Sequence, residues 1–241
     1  MRVLGLDTAT SATAVGLLEL ATDGRELTVI ERRDDPPPRT RPRHTSALLA
    51  LAIDVLDEAG VGWDELDLLA VGTGPGTFTG LRIGISTARA LARARELPIV
   101  GVSTLRSLAA AAAEAALAHD RRALAVLDAR RGEVFAAGWA DPEAPGPPLI
   151  SPTAVVPERL AARLPETGTR WLAVGEGAVA FRQVLERSGA HVPDDGAALH
   201  RVSALTHCRL ATGLRPQNPN DVRPEYLRLP DAELSLRAGA V

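Results

Sequence analysis

Two short strings recur in the chain, in the same order, and they constrain the fold more than any other feature. Val3-Leu4-Gly5-Leu6-Asp7 is matched by Leu124-Ala125-Val126-Leu127-Asp128, and Leu69-Ala70-Val71-Gly72-Thr73-Gly74 by Leu172-Ala173-Val174-Gly175-Glu176-Gly177. Each first string reads as a buried strand that ends in aspartate, enters a small polar turn and returns as a second apolar run, so each opens a β-hairpin. Each second string closes a strand before a helical stretch. One match of this kind carries little, because apolar strand ends are common. Two in the same order read as a duplication.

The length suits that reading, since 241 residues make one large domain or two lobes of about 100 residues each. The sequence therefore predicts an α/β fold of duplicated RNase H-like lobes, the architecture of actin, Hsp70 and the sugar kinases, with each hairpin tip facing a central cleft. The expected division is a first lobe over 1–105, a smaller second lobe over 106–229 whose C-terminal segment returns towards the first, and a flexible tail over 230–241. Strands are expected over 3–6, 13–20, 28–32, 66–71, 98–102, 124–127, 133–139 and 170–174. Helices are expected over 44–59 and 81–95, from 103 to about 118 as one long alanine-rich helix, from 177 to about 188, and from 203 to about 214. Residues 33–43, rich in proline and mixed charge, read as a loop. No element is assigned between 149 and 169.

The charge balance limits the partners. Every one of the 27 basic side chains is arginine, which reads as coding bias, and the net charge is −3. A protein that holds RNA alone usually shows a basic balance, so any RNA contact must be local or shared with a partner. Cys208 stands alone, which excludes an internal disulfide and fits a reducing cytoplasm. The apolar run at the N-terminus is broken by Asp7, so it reads as a strand and not as a signal peptide. No stretch is long and apolar enough to suggest a bilayer span, and the expectation is a cytoplasmic protein with no membrane partner.

Four groups of residues are candidates for function. At the first hairpin, Asp7, Thr8, Thr10 and Ser11 either face a phosphate, with Asp7 near Mg²⁺, or satisfy N–H groups of their own turn. The loop 72–80, with Gly74 and Gly76, lacks the lysine of a Walker A motif and the acidic partner of a dinucleotide fold. Its glycines allow close backbone approach, to an anion or to the chain itself. The second hairpin reads Asp128-Ala129-Arg130-Arg131-Gly132-Glu133. A phosphotransferase keeps small residues there, so Arg130 and Arg131 leave such a cleft incomplete; they bind an anion or pair with Asp128 and Glu133. The fourth group lies on two helices. Gly80, Gly84, Ala88 and Ala92 make a small-residue stripe flanked by Leu81, Ile85 and Leu91, and Leu48, Leu51 and Val55 share helix 44–59 with a second apolar edge, Leu49 and Ile53. These faces suit either a second subunit or packing within the chain. The five histidines include no pair three or four apart, so no helix offers a two-imidazole metal site. His44, at a helix start, reads as a cap or polar contact, and Cys208 as core.

The segments LGLDTAT, HTSALLALAIDVL, GTGPGTFTGLRIGISTARALA, PIVGVSTLRSLA, LDARRGEVF and PEYLR together resemble the TsaB/YeaZ family, over residues 3 to about 228. The resemblance implies a non-catalytic scaffold subunit of the machinery that forms N6-threonylcarbamoyladenosine beside the tRNA anticodon. It implies a heterodimer with the catalytic relative TsaD through helices 44–59 and 81–95, which places His44, Leu48, Leu51, Val55, Leu81, Gly84, Ile85, Ala88 and Leu91 at the interface. It further implies that the ATPase TsaE joins the pair, that tRNA is met through the complex, and that the isolated subunit forms a homodimer. No metal and no cofactor is required by this subunit, with ATP or ADP at the complex interface. The competing reading from the residues alone is an ATP-binding phosphotransferase or ATP hydrolase working through Asp7.

Overall fold

A computed structural model describes residues 1–37, 40–144 and 146–228. Its first sheet opens with an antiparallel meander of β1 (Arg2–Asp7), β2 (Thr13–Leu20) and β3 (Glu26–Asp34). β4 (Leu68–Gly74) and β5 (Ile99–Ser103) then add in parallel, giving the order β3-β2-β1-β4-β5. The second sheet repeats the wiring. β6 (Arg122–Arg130), β7 (Glu133–Gly138) and β8 (Ile150–Val155) form the meander, and β9 (Trp171–Val174) pairs in parallel with β6, in the order β8-β7-β6-β9. The two repeated strings occupy equivalent places, on the first strand of each sheet and on the strand parallel to it. This is the duplicated α/β fold that the repeat predicts.

The first sheet is covered on both faces, so its central strands are apolar throughout. Side chains alternate across a strand. Leu4 and Leu6 therefore join a core with Leu48, Ala52 and Val55 of α1 (His44–Ala59) and Leu81, Ile85 and Ala88 of α2 (Phe78–Ala94). Val3 points the other way, towards Cys208 and Ala211 of α8 (Ala204–Thr212). Between α2 and α8 in sequence lie α3 (Thr104–Ala111), α4 (Ala113–Leu117), α5 (Pro157–Arg163), α6 (Glu176–Ala180) and α7 (Arg182–Arg187). The second sheet has its own two cores, one with Leu105 and Leu108 of α3 and one with Leu160, Ala178 and Leu185. Alanine dominates β6 and β7, and one large ring fills the space this leaves: Trp171 lies where a side chain on Gly138 would stand, 2.6 Å from its Cζ3.

α8 follows the second sheet in sequence but packs on the first. The turn that sends it back is held by Glu31 of β3. Its Oε1 accepts hydrogen bonds from Ser203 Oγ at 2.9 Å, Ala204 N at 2.6 Å and Leu205 N at 3.3 Å. A carboxylate at a helix N-terminus satisfies orphan N–H groups and complements the helix dipole. Ser203 also caps the helix itself, accepting from Thr206 N.

Several expected elements change. β3 runs on to Asp34, because Arg33 and Asp34 complete the ladder opposite Ala14 and Thr13. The long alanine helix divides at Ala112 into α3 and α4. Intrinsic propensity favours continuation there, but Ala112 and Ala116 are drawn into the second-lobe core. The helix after Gly175 divides at Phe181 into α6 and α7. β8 and α5 fall where no element was assigned. The flexible tail expected over 230–241 lies outside the described residues. Among the described residues no helix is long and apolar enough to cross a membrane.

Candidate functional site

The first hairpin tip is closed by the chain itself. Asp7 is 2% exposed. Its Oδ1 accepts from Ala9 N at 2.9 Å, and its Oδ2 accepts from His207 Nε2 at 2.8 Å. His207 lies on α8 and is fully buried, and its Nδ1 has no hydrogen-bond partner. Thr8 is equally buried and donates from Oγ1 to the Gly80 carbonyl at 2.7 Å. Thr10 Oγ1 accepts from Ala12 N within its own turn.

The glycines of the 72–80 loop explain how the tip fits. A Cβ on Gly72 would overlap Asp7 Oδ2, one on Gly76 the Ala9 carbonyl, one on Gly80 the Thr8 carbonyl, and one on Gly84 the Thr8 hydroxyl. Thr77 N completes the clasp with a 2.7 Å hydrogen bond to the Ala9 carbonyl. These glycines thus permit close approach to the chain's own backbone, which is the space an anion would need. Gly74, at φ +110 before a cis bond to Pro75, is likewise buried, and its N–H donates to Thr104 Oγ1 at 3.2 Å. Of the residues expected to meet a nucleotide, Asp7, Thr8 and Gly74 are buried and hydrogen-bonded inside the fold, and Gly76 is half-buried against the Ala9 carbonyl.

Thr10 and Ser11 are half-buried and line open space. They border a cavity of about 260 Å³ between the lobes, together with Arg33, Asp35, Glu176 and His200. Burial holds the Glu176 carboxyl above the usual range. His200 is fixed in one tautomer, with Nδ1 accepting from Gly175 N at 3.1 Å and Nε2 facing the Pro193 carbonyl at 3.2 Å.

The second hairpin turns through three successive left-handed residues, Arg130 (φ 63), Arg131 (φ 54) and Gly132 (φ 76). Asp128 holds the turn by accepting from Arg130 N at 2.8 Å and Arg130 Nη1 at 3.1 Å. Glu133 pairs with neither turn arginine in the described contacts but with Arg228 at 2.9 Å. Arg130 also borders a groove of about 770 Å³, shared with Arg41, Arg43, His44, Thr77 and Ile83 at the N-termini of α1 and α2.

The expected interface residues divide by burial. His44, Leu48, Val55, Leu81, Gly84, Ile85 and Ala88 are buried within this chain, and Leu51 and Leu91 are half-buried. The stripe on α2 packs on the hairpin, and the α1 face packs on the sheet. The apolar edge that α1 does expose is Leu49 (45%) and Ile53 (48%).

Sequence comparison places this geometry. The profile of the family described as "TsaD: tRNA N6-adenosine threonylcarbamoyltransferase" matches residues 36–233. The tRNA threonylcarbamoyladenosine biosynthesis protein TsaB of Escherichia coli is 34% identical over 234 residues, covering 95% of each protein. The chain belongs to the TsaB/YeaZ family. Two solved structures from Pseudomonas aeruginosa agree. YeaZ superposes with a TM-score of 0.71 at 28% identity, covering 93% of this chain and 100% of that one. An uncharacterized protein with similarity to peptidase YEAZ gives 0.74 at 29%, covering 94% and 99%.

In this TsaB/YeaZ-family chain several contacts join residues far apart in sequence. Histidine spacing says nothing of a partner for His207, and only its position on a returning helix brings it to Asp7. Gly72 was read as part of a loop, though its absent side chain is what admits the Asp7–His207 pair. Phe78 and Tyr226, both 40% exposed, stack with ring centroids 5.5 Å apart, and Arg82 lies 3.9 Å over the Phe78 ring. No local signal marked this cluster, because its members are 148 positions apart at the extremes.

Proposed function

We propose that this protein is the non-catalytic scaffold subunit of the complex that forms N6-threonylcarbamoyladenosine beside the anticodon of tRNA, where it binds and activates TsaD. The observation that carries the reading is the closed first hairpin. In the alternative, an ATP-binding phosphotransferase or ATP hydrolase, Asp7 must stand open to a metal, and here it is 2% exposed and bonded to His207. The E. coli relative's name supports the pathway. TsaD docks on the exposed edge of α1 and α2, with Leu49 and Ile53 at its centre, and the isolated subunit pairs with itself through the same edge. TsaE joins the pair, and tRNA is met through the complex, in the cytoplasm. ATP or ADP belongs at the subunit junction, near the groove that Arg41, Arg43 and Arg130 border, and not in this subunit's own cleft.

Mass-resolved size exclusion of the protein, alone and mixed with TsaD of the same organism, tests the reading. A mixed complex is expected, and Leu49→Glu with Ile53→Glu should abolish it while leaving the melting temperature of the subunit unchanged. A double variant that still co-elutes with TsaD overturns the assigned edge. Robust ATP turnover by the isolated protein overturns the scaffold reading.

A further inference from the structure

The flank of α2 beside the segment Asn218–Tyr226, away from its α1 side, carries a row of arginines outside the edge proposed for TsaD. Positions 82, 89 and 93 share one flank with Phe78, as the 3.6-residue period requires, and the row extends about 16 Å along the axis from 82 to 93. The segment Asn218–Tyr226 runs beside it. Asn220 Oδ1 accepts from both Arg89 Nη2 (3.3 Å) and Arg93 Nη2, and Arg82 Nε meets Tyr226 Oη at 3.4 Å. All three arginines therefore contact neutral groups. Among the described residues none of them, nor Arg223 on the adjoining segment, has a carboxylate within 4 Å. By contrast Arg2, Arg25, Arg32, Arg43, Arg170 and Arg209 are each paired with one. The one carboxylate exposed on the segment itself is Asp221. In a chain of net charge −3, this is a local concentration of unneutralised cation.

At one end of the row the Phe78–Tyr226 stack leaves two aromatic rings at the surface, with Arg82 across one of them. The chain has only seven aromatic residues, and the other five, Phe135, Phe181, Trp63, Trp139 and Trp171, are buried or half-buried. A ring pair beside a cationic track is the arrangement that holds single-stranded nucleic acid: arginines follow phosphates, and an aromatic face receives an unstacked base. Beside the ring pair and Ile83 this flank offers Ser86, Thr87, Asn220 and the arginines, so charge and polar groups outweigh apolar surface along it.

We infer that the α2 flank formed by Phe78, Arg82, Arg89, Arg93 and Tyr226 is an RNA-binding surface, taking a phosphate track along the arginines and one unpaired base on the ring pair. The inference rests on the proposed function for its biological RNA, a tRNA, but its physical content is independent of TsaD.

Fluorescence anisotropy with the intact protein, at about 50 mM salt, reads it directly. The probes are a labelled unmodified tRNA, a labelled single-stranded RNA and an RNA duplex. Arg89→Glu with Arg93→Glu should weaken binding of all three at least tenfold and flatten the dependence of log affinity on log salt by roughly 1.4 for the single strand. Phe78→Ala should weaken the single strand and the tRNA about tenfold and leave the duplex unchanged, since only unpaired bases stack. Arg159→Glu with Arg163→Glu, on exposed positions of α5, removes the same charge elsewhere. An equal loss in that control pair means net charge alone is being read and overturns the proposal. So does unchanged RNA binding in the α2 variants, whether or not they lose TsaD, and loss of TsaD with RNA binding intact would assign the flank to protein. Co-elution with TsaD, measured on the same variants, keeps failure of the scaffold reading distinct from failure of this one.

Discussion

His207 Nε2 donates to Asp7 Oδ2 at 2.8 Å across a separation of 200 positions in sequence. The two side chains are 0% and 2% exposed, so no solvent competes for the bond. The contact ties the tip of the first hairpin to the helix that returns from the second sheet. It converts a residue placed like a metal-holding aspartate into a structural one.

Removing that aspartate should therefore act on stability. Asp7→Ala leaves His207 with both ring nitrogens unpartnered in the core, and such a loss costs about 3 kcal/mol. Urea unfolding measures it. In a double-mutant cycle with His207→Leu the two effects should be strongly non-additive; simple additivity would show that the pair does not act as a unit.

Gly84 faces the Thr8 hydroxyl. Gly84→Ala gains about 1 kcal/mol of helix propensity yet should destabilise the protein by about 1–3 kcal/mol, because the added methyl must displace buried atoms. Thr8→Ala in the same chain removes the obstructing oxygen and should recover part of the loss. A Gly84→Ala protein as stable as the parent would mean that α2 can move off the hairpin freely.

Glu31→Ala takes the carboxylate from the N-terminus of α8. The expected cost is about 2 kcal/mol, with amide exchange accelerating first in 204–212. Protection that falls evenly over the whole chain would show that α8 does not open as a local unit.

His44 provides a pH dependence. Burial lowers its pKa, against the opposing pull of Asp7 and Asp34. The unfolded chain therefore takes the proton first, below about pH 6.5, and stability falls as pH drops from there towards the depressed folded value. Glu176, raised by burial, acts in the opposite sense, so the difference between parent and His44→Gln isolates the histidine. That difference should be flat above about pH 7 and shrink in the acid range as the parent loses its advantage. A difference that stays constant down to pH 5 would contradict a buried neutral imidazole at this site.

The elements legible in the sequence were those with a strong local period. α1 has the expected bounds because its apolar residues recur at helical spacing and Gly60, at φ 66, ends it. β1 and β2 were legible because both are apolar runs around a small polar turn. β8 was not, because its residues after Ile150 are only partly buried or exposed and carry no alternation. The break at Ala112 was invisible for the opposite reason: every local preference there favours helix, and only packing in the second-lobe core opposes it.

The candidate sites divide along the same line. Residue types and their order determined by themselves that the chain is duplicated, that each lobe opens with an aspartate-tipped hairpin, and that glycines lie where the next strand meets its helix, since strand and helix periods and repeated strings are local properties. What Asp7 holds, what those glycines admit, and which edge of α1 remains in water were decided only by tertiary structure. A side chain's partner depends on where the chain returns, and α8 returns to the first sheet only after the whole second sheet has been built.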